Sequence, residues 1–190
     1  MQITDLNSIQ SRIALHNDQQ AYKLLYQHFY SSLYQFALSY LKSGPQAEEA
    51  VSDVFIKLWS KRAGLVRIQN LKLYLFVSTK NVALNYLRKQ KRPLLQLEQY
   101  RVQFQSVYFD PEQMMVTAEM IRHVQEAIQQ LPPRCQLIFK LVKEDGLKYR
   151  EVAELLNLSV KTVENQMTTA LRKIAHAVQF DIRTTLPTVK

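Results

Sequence analysis

Apolar residues recur along this chain mostly in steps of three and four. Between residues 8 and 42, Ile9, Ile13 and Leu15 lead into Tyr22, Leu25, Tyr26, Phe29, Leu33, Phe36, Ala37, Tyr40 and Leu41. That spacing predicts one long helix with a broad buried face. Ser43-Gly44-Pro45 then breaks the pattern, Gly suiting the end of one helix and Pro the first turn of the next. A second helix is predicted over 46–62, with Ala47, Val51, Val54, Phe55 and Leu58 inward. Glu48 and Glu49 fall in its first turn, where carboxylates favour the helix dipole. Ala63-Gly64 ends it. A third helix is predicted over 70–91, anchored by Leu71, Leu75, Val82, Leu84 and Leu87.

The next stretch differs. Pro93 opens it, Asp110-Pro111 lies near its end, and Gln is frequent. Over 94–131, Arg101 and Arg122 face Glu98, Asp110, Glu112, Glu119 and Glu126, an acidic stretch inside a basic chain. Residues 93–113 read as a linker between two domains. The alternative is a long internal loop, which compact domains seldom contain. A helix over 114–130 follows, with Met115, Ala118, Ile121, Val124 and Ile128 on its apolar side. Leu131-Pro132-Pro133 stops it, and Pro133 can open the next helix, which carries Leu137, Ile138, Leu141 and Val142. Glu144-Asp145-Gly146 reads as a turn. No internal repeat is visible.

Composition narrows the class. The chain has 190 residues, 47% of them hydrophobic, with only 3 Gly and 6 Pro. So few turn residues argue against an all-β chain and for an all-α fold of two small helical domains. No Gly-rich phosphate loop occurs. The lone Cys135 rules out an internal disulfide, and a CxxC zinc pair is absent, which suits a reducing cytoplasm. Buried hydrophobe and redox sensor are both readings of Cys135, the first being the ordinary one. The N-terminal stretch lacks a signal-peptide core, and no run reaches the roughly 18 apolar residues of a membrane span. The His residues (16, 28, 123 and 176) are scattered, so neither a metal nor another cofactor is expected. With 25 Lys and Arg against 16 Asp and Glu, the net charge is +9. That excess points to an anionic partner, nucleic acid first and a membrane surface second.

Two segments carry candidate chemistry. The first, 149–174, splits into two short helices. Val152, Leu155 and Leu156 face inward on one, and Val163, Met167, Ala170, Leu171 and Ile174 on the other. Asn157-Leu158-Ser159 forms the joint: Asn tolerates a left-handed backbone, and Ser159 can cap the following helix. Lys161, Glu164, Asn165, Thr168 and Arg172 fall on the opposite face. This is the pattern of a helix-turn-helix, whose second helix enters the major groove. Asn, Glu and Thr can read base edges while Lys and Arg hold phosphates. Periodicity alone also fits a plain helical hairpin with a solvated polar face.

The second segment, 70–92, holds Lys72, Lys80, Arg88, Lys89, Lys91 and Arg92 and no acidic residue. Tyr74, Phe76 and Tyr86 are interleaved with Asn81 and Asn85. Stacking surfaces, amides and cations suit single-stranded nucleic acid. The alternative places the aromatics in the core under a solvated face, but such a face usually mixes its signs.

In this order and spacing, AEEAVSDVFIKLW (47–59), NLKLYLFVSTKNVALNYLRKQKR (70–92), LPPRCQLIF (131–139) and LKYREVAELLNLSVKTVENQMTTALRK (147–173) resemble the extracytoplasmic-function (ECF) group of bacterial sigma-70 factors. The wording of SVKTVENQ is most similar to ECF factors of Bacteroidetes. The resemblance covers about 18–92 and 114–176. It implies sigma region 2 over 8–92, a flexible linker over 93–113 and sigma region 4 over 114–176. The tail 177–190 matches nothing in the pattern and is a candidate disordered tail, and no further C-terminal domain is expected.

The resemblance also implies roles. Region 4 would read the −35 element through Lys161, Thr162, Glu164, Asn165, Thr168, Thr169 and Arg172. Region 2 would bind and open the −10 element, with Asn81 where the family captures a flipped base and Lys80, Asn85, Arg88 and Lys89 nearby. Asp53, Phe55, Lys57 and Leu58 would dock on the clamp of the largest subunit of core RNA polymerase. An anti-sigma factor is the further partner implied. Two positions depart from the family: Lys148 stands where a small capping residue is usual, so that helix should start less firmly, and Asn157 stands where Gly is usual. The expectation is a cytoplasmic transcription initiation factor, neither an enzyme with a small-molecule substrate nor a membrane protein. The alternative is a stand-alone dimeric helix-turn-helix regulator.

Overall fold

A computed structural model of the chain describes residues 5–90 and 118–185, and every regular element among them is a helix. The chain divides into two compact units, residues 1–96 and 97–190. The linker 93–113, Met115 and positions 186–190 lie outside the described residues.

The first unit contains α1 (Leu6–His16), α2 (Gln19–Leu41), α3 (Gly44–Ser60), a short 3-10 helix (Arg62–Arg67) and α4 (Leu71–Lys89). The single helix expected over 8–42 is therefore two. Asn17 takes a left-handed backbone, φ 52°. Asp18 then caps α2, its Oδ1 accepting the N–H groups of Gln20 and Ala21 at 2.9 and 3.0 Å. Both residues have the local chemistry for a stop and a restart, but the apolar rhythm runs straight across them. The break lets α1 pack on the 3-10 helix. Leu15 loses its predicted place in the core and is 62% exposed. Lys42, rather than Gly44, takes the left-handed cap of α2, and Gly44 begins α3 with Pro45 in its first turn. Because α3 starts at Gly44, two residues before the expected start, Glu48 and Glu49 fall just past its first turn.

The core of this unit is aromatic. Phe36 of α2 meets Phe76 of α4 edge-on, ring centroids 5.2 Å apart. Tyr26 packs on Phe55 of α3 at 4.7 Å, and Tyr22 donates its hydroxyl to the Phe55 carbonyl at 3.0 Å. Leu25, Leu33, Leu41, Val51, Leu58, Leu71, Leu75 and Leu87 fill the remaining space. Each such side chain contributes about 1.5–3 kcal/mol when fully buried. Leu84, expected as an anchor, is only half-buried.

The second unit contains α5 (Ala118–Gln129), α6 (Pro133–Lys143), α7 (Tyr149–Leu156) and α8 (Val160–Thr185). Its core joins Ile128, Leu137, Ile138, Leu141, Val152, Leu155, Leu156, Val163, Met167 and Ala170. Gly146 turns the chain with φ 64°. A buried Lys140 ammonium meets the Glu144 carboxylate at 2.8 Å beside that turn. Lys148 offers no side-chain acceptor, yet α7 does not start unsupported: the Glu151 carboxylate accepts the Lys148 N–H at 2.8 Å. Asn157 supplies the left-handed joint with φ 58°.

One expectation fails in α8: Leu171, assigned to the inward stripe, is 44% exposed. The helix also runs past the end of the motif at 176, to Thr185. No Pro or Gly lies between Val160 and Thr185, so nothing local stops the helix at the end of the motif.

Gln10 of α1 is buried and gives both amide protons away, to the carbonyls of Leu65 at 2.6 Å and Ile68 at 2.7 Å. Gln10→Leu leaves those carbonyls without this donor and should cost roughly 1–3 kcal/mol. The check is a drop of several degrees in the thermal melt of the first unit. Asn157→Val forces a β-branched residue into the left-handed region and should destabilise the second unit by about 1–2 kcal/mol, whereas Asn157→Gly should hold or gain stability in urea unfolding.

Candidate nucleic-acid interface

Burying one stripe of α4 decides what its other face presents. Leu71, Leu75, Phe76, Thr79, Val82, Ala83 and Leu87 go inward. Thr79 gives its hydroxyl to the Leu75 carbonyl at 2.9 Å, so it brings no unpaired donor into the core. Asn81, Asn85, Arg88 and Lys89 are all exposed, at steps of four and three that place them on one side. Lys80 is half-buried beside them, and burial draws its pKa below the ordinary lysine value. Asn70 caps the helix by accepting the Leu73 N–H at 2.9 Å. The helix carries Lys72, Lys80, Arg88 and Lys89 and no acidic residue. Amide donors and acceptors flanked by cations make a surface that can hold phosphates and base edges together.

The interleaved aromatics separate. Phe76 is fully buried and unavailable to a base. Tyr74 and Tyr86 are half-buried. Tyr86 turns its hydroxyl toward α3, where it donates to Asp53 Oδ2 at 3.2 Å.

On α8 the recognition face is also narrower than the pattern suggested. Lys161, Asn165, Thr168 and Arg172 are exposed, and Thr162, Glu164 and Thr169 are half-buried. Thr162 belongs to the helix start: Ser159 Oγ accepts its N–H at 3.0 Å and lies 2.8 Å from its hydroxyl. Thr168 and Thr169 donate their hydroxyls back to the Glu164 and Asn165 carbonyls at 3.0 and 2.9 Å. Lys161 and Glu164 form an exposed pair at 3.4 Å, weak enough to open when a ligand approaches. Asn165 and Arg172 therefore present the strongest combination of base-edge and phosphate chemistry.

The assignment of Phe55 and Leu58 as surface contacts on α3 is corrected. Each is 1% exposed, because the stripe facing α2 and α4 runs through them. Asp53 is half-buried and Lys57 exposed on the outer side. What the periodicity missed is an apolar groove lined by Gln19, Tyr22, Ile56, Trp59 and Ser60. Ile56 is 64% exposed there. Trp59 packs at a tilt on Tyr22, ring centroids 4.8 Å apart, and lies under the Arg62 guanidinium at 4.7 Å. The available signal was Ile56 itself, an apolar residue off the Val51-Val54-Phe55-Leu58 stripe.

Comparison with known proteins matches both units. The family model for sigma-70 region 2 fits residues 25–93, and that for sigma-70 region 4 fits residues 121–174. The ECF RNA polymerase sigma-E factor of Escherichia coli K12 is 29% identical over 87% of this chain and 91% of its own length. The ECF RNA polymerase sigma factor SigX of Bacillus subtilis is 24% identical over 82% of this chain and 84% of its own. Among solved structures, CnrH in complex with the cytosolic domain of CnrY matches with TM-score 0.52 and 20% identity, covering 93% of this chain and 99% of that one. The sigma factor RpoE in complex with the anti-sigma factor NepR, from Bartonella quintana, matches with TM-score 0.51 and 21% identity, covering 85% and 99%. These structural likenesses support the fold. The chain belongs to the sigma-70 family of RNA polymerase sigma factors, in its ECF group. Among the described residues, no helix is long and apolar enough to cross a membrane.

Cys135 is buried between α6 and α8, its thiol 3.2 Å from the Gln166 carbonyl. Burial raises the thiol pKa above its ordinary value, the main cause, with Lys173 acting weakly the other way. An aromatic disulfide reagent at neutral pH should therefore leave Cys135 unlabelled in native protein and label it fully in denaturant. Rapid labelling of the native chain would contradict the burial.

Proposed function

We propose that this chain is a cytoplasmic transcription initiation factor, and not an enzyme, which binds core RNA polymerase and directs it to promoters. The observation that carries the reading is the pair of interfaces, one on each unit, in the order of sigma regions 2 and 4. The functional units are 8–92 and 114–176, joined by the linker 93–113. Asn165, Arg172, Lys161, Glu164, Thr168 and Thr169 read the −35 element, with Thr162 holding the helix start. Each good side-chain–base pair there is worth about 1–3 kcal/mol. Asn81 takes a flipped base of the −10 element, while Lys80, Asn85, Arg88 and Lys89 hold the strand around it. Holding an unstacked base offsets the cost of unpairing it, which draws melting forward.

Asp53 and Lys57 dock on the clamp of the polymerase largest subunit, together with the exposed Ile56 and the Trp59 groove. Phe55 and Leu58 shape that face from beneath. Two small DNA-binding units on one chain gain little from each other until their spacing is fixed. Docking on polymerase supplies that spacing and the avidity that follows. An anti-sigma factor is the proposed regulator, supported by the solved complex of the similarly folded sigma factor RpoE with the anti-sigma factor NepR.

The test is abortive transcription from a promoter library by core RNA polymerase, with and without this protein. Transcription from a defined subset of promoters is expected. Asn165→Ala should weaken dependence on the upstream motif by roughly 5–100-fold, the value of one lost base contact. Asn81→Ala should impair opening at promoters that remain bound. Absence of stimulation, together with tight binding to a palindrome by the protein alone as a dimer, would overturn the proposal in favour of a stand-alone regulator.

A further inference from the structure

Tyr86 sits on α4 between two groups with opposite tasks. Asn85 and Arg88 point out with the candidate DNA face, while Leu87 anchors the helix in the core. The Tyr86 side chain follows neither. Its hydroxyl reaches across to α3 and donates to Asp53 Oδ2 at 3.2 Å. Glu49, one helical turn before Asp53, also interacts with this hydroxyl. Two carboxylates four residues apart on a helix repel each other. A phenol between them donates a hydrogen bond to one and lowers the cost of holding both. Burial, then Asp53 and Glu49, push the Tyr86 pKa up to about 12, so the hydroxyl remains a donor throughout the working range.

We propose that Tyr86 is a positioning residue: its hydroxyl, carried by the promoter-facing helix α4, orients the Asp53 carboxylate on α3 for contact with polymerase. This rests on the assignment of Asp53 to the polymerase face given above. A half-exposed carboxylate otherwise samples several rotamers, and ordering it on binding costs affinity. A fixed donor removes part of that cost beforehand. The same bond ties the two helices side chain to side chain, so the polymerase face and the DNA face share a residue-level connection. It also reassigns Tyr86, which sequence alone left open between core and base stacking.

The experiment is a double-mutant cycle on the full chain, using Tyr86→Phe, Asp53→Ala and the double variant. Affinity for purified core RNA polymerase is measured by fluorescence titration. Tyr86→Phe keeps the ring and removes only the hydroxyl. It should weaken polymerase binding about 2–10-fold, the span of one lost hydrogen bond. In the Asp53→Ala background it should have no effect. With polymerase saturated, open-complex yield on promoter DNA should equal that of the unsubstituted chain, because the ring is intact. Thermal melts establish a temperature at which all variants are folded, and affinities are compared there.

If Asp53→Ala weakens binding while Tyr86→Phe does not, the Tyr86 proposal is overturned and the polymerase face stands. If Asp53→Ala binds polymerase normally, the assignment of Asp53 fails and this proposal falls with it. If Tyr86→Phe is silent and Tyr86→Ala lowers open-complex yield at saturation, the ring acts on DNA instead and the positioning role is refuted.

Discussion

The first unit depends on the packing of Phe36, Phe55 and Phe76, contributed by α2, α3 and α4 respectively. The three rings are almost fully buried and sit on the inner stripes of their helices. A helix has only one rotation about its axis that buries such a stripe. Once Phe76 is in place, the rotation of α4 is set, and Asn81, Asn85, Arg88 and Lys89 must point outward. Once Phe55 is in place, α3 must present Asp53, Ile56 and Lys57. The two candidate faces are thus consequences of one core, and neither can be rotated without opening it.

The second unit obeys the same logic with aliphatic side chains and a sharper turn. Val163, Met167 and Ala170 lock α8 against its neighbours, which leaves Lys161, Asn165, Thr168 and Arg172 on the outside. The angle of entry comes from Asn157, whose left-handed backbone ends α7, and from Ser159, which starts α8. Short polar residues do both because their side chains satisfy backbone groups that a helix end leaves open. α8 is therefore presented by packing beneath it and capping before it, and its outward residues are left exposed.

Polar groups inside the first unit serve the same end. Gln10 holds two carbonyls around the 3-10 helix, and Arg62 packs over Trp59 while donating to the Trp59 carbonyl at 2.9 Å. These bonds fix a segment too short and irregular to be held by periodic packing. Satisfied polar groups of this kind, buried at Gln10 and half-buried at Arg62, specify a single arrangement where apolar contacts alone would allow several. The segment leads directly into the Asn70 cap of α4, so its placement bears on where the basic helix begins.

From sequence alone, the helical class, the two-unit organisation and the helix-turn-helix were legible. Helical periodicity is strong when a stripe is buried, and the boundaries at Pro133, Gly146 and Asn157 are marked by residues with special backbone geometry. The basic, acid-free character of α4 and its outward Asn residues were equally legible, because charge and spacing are local properties. The break at Asn17-Asp18 was not, since an apolar rhythm can continue through two polar residues that happen to form a cap. The end of α8 was marked only by Pro187, two residues past Thr185, and the similarity to the motif stops well before it. Tertiary structure alone decided which side of each apolar residue meets a neighbour. It exposed Ile56, Leu15 and Leu171, upheld the inward place that periodicity gave Phe55 and Leu58 over the surface contact the resemblance implied, and aimed the Tyr86 hydroxyl at Asp53. Periodicity gives the positions on a helix wheel, but which sector is covered depends on how many helices surround it, and that is a property of the assembled core.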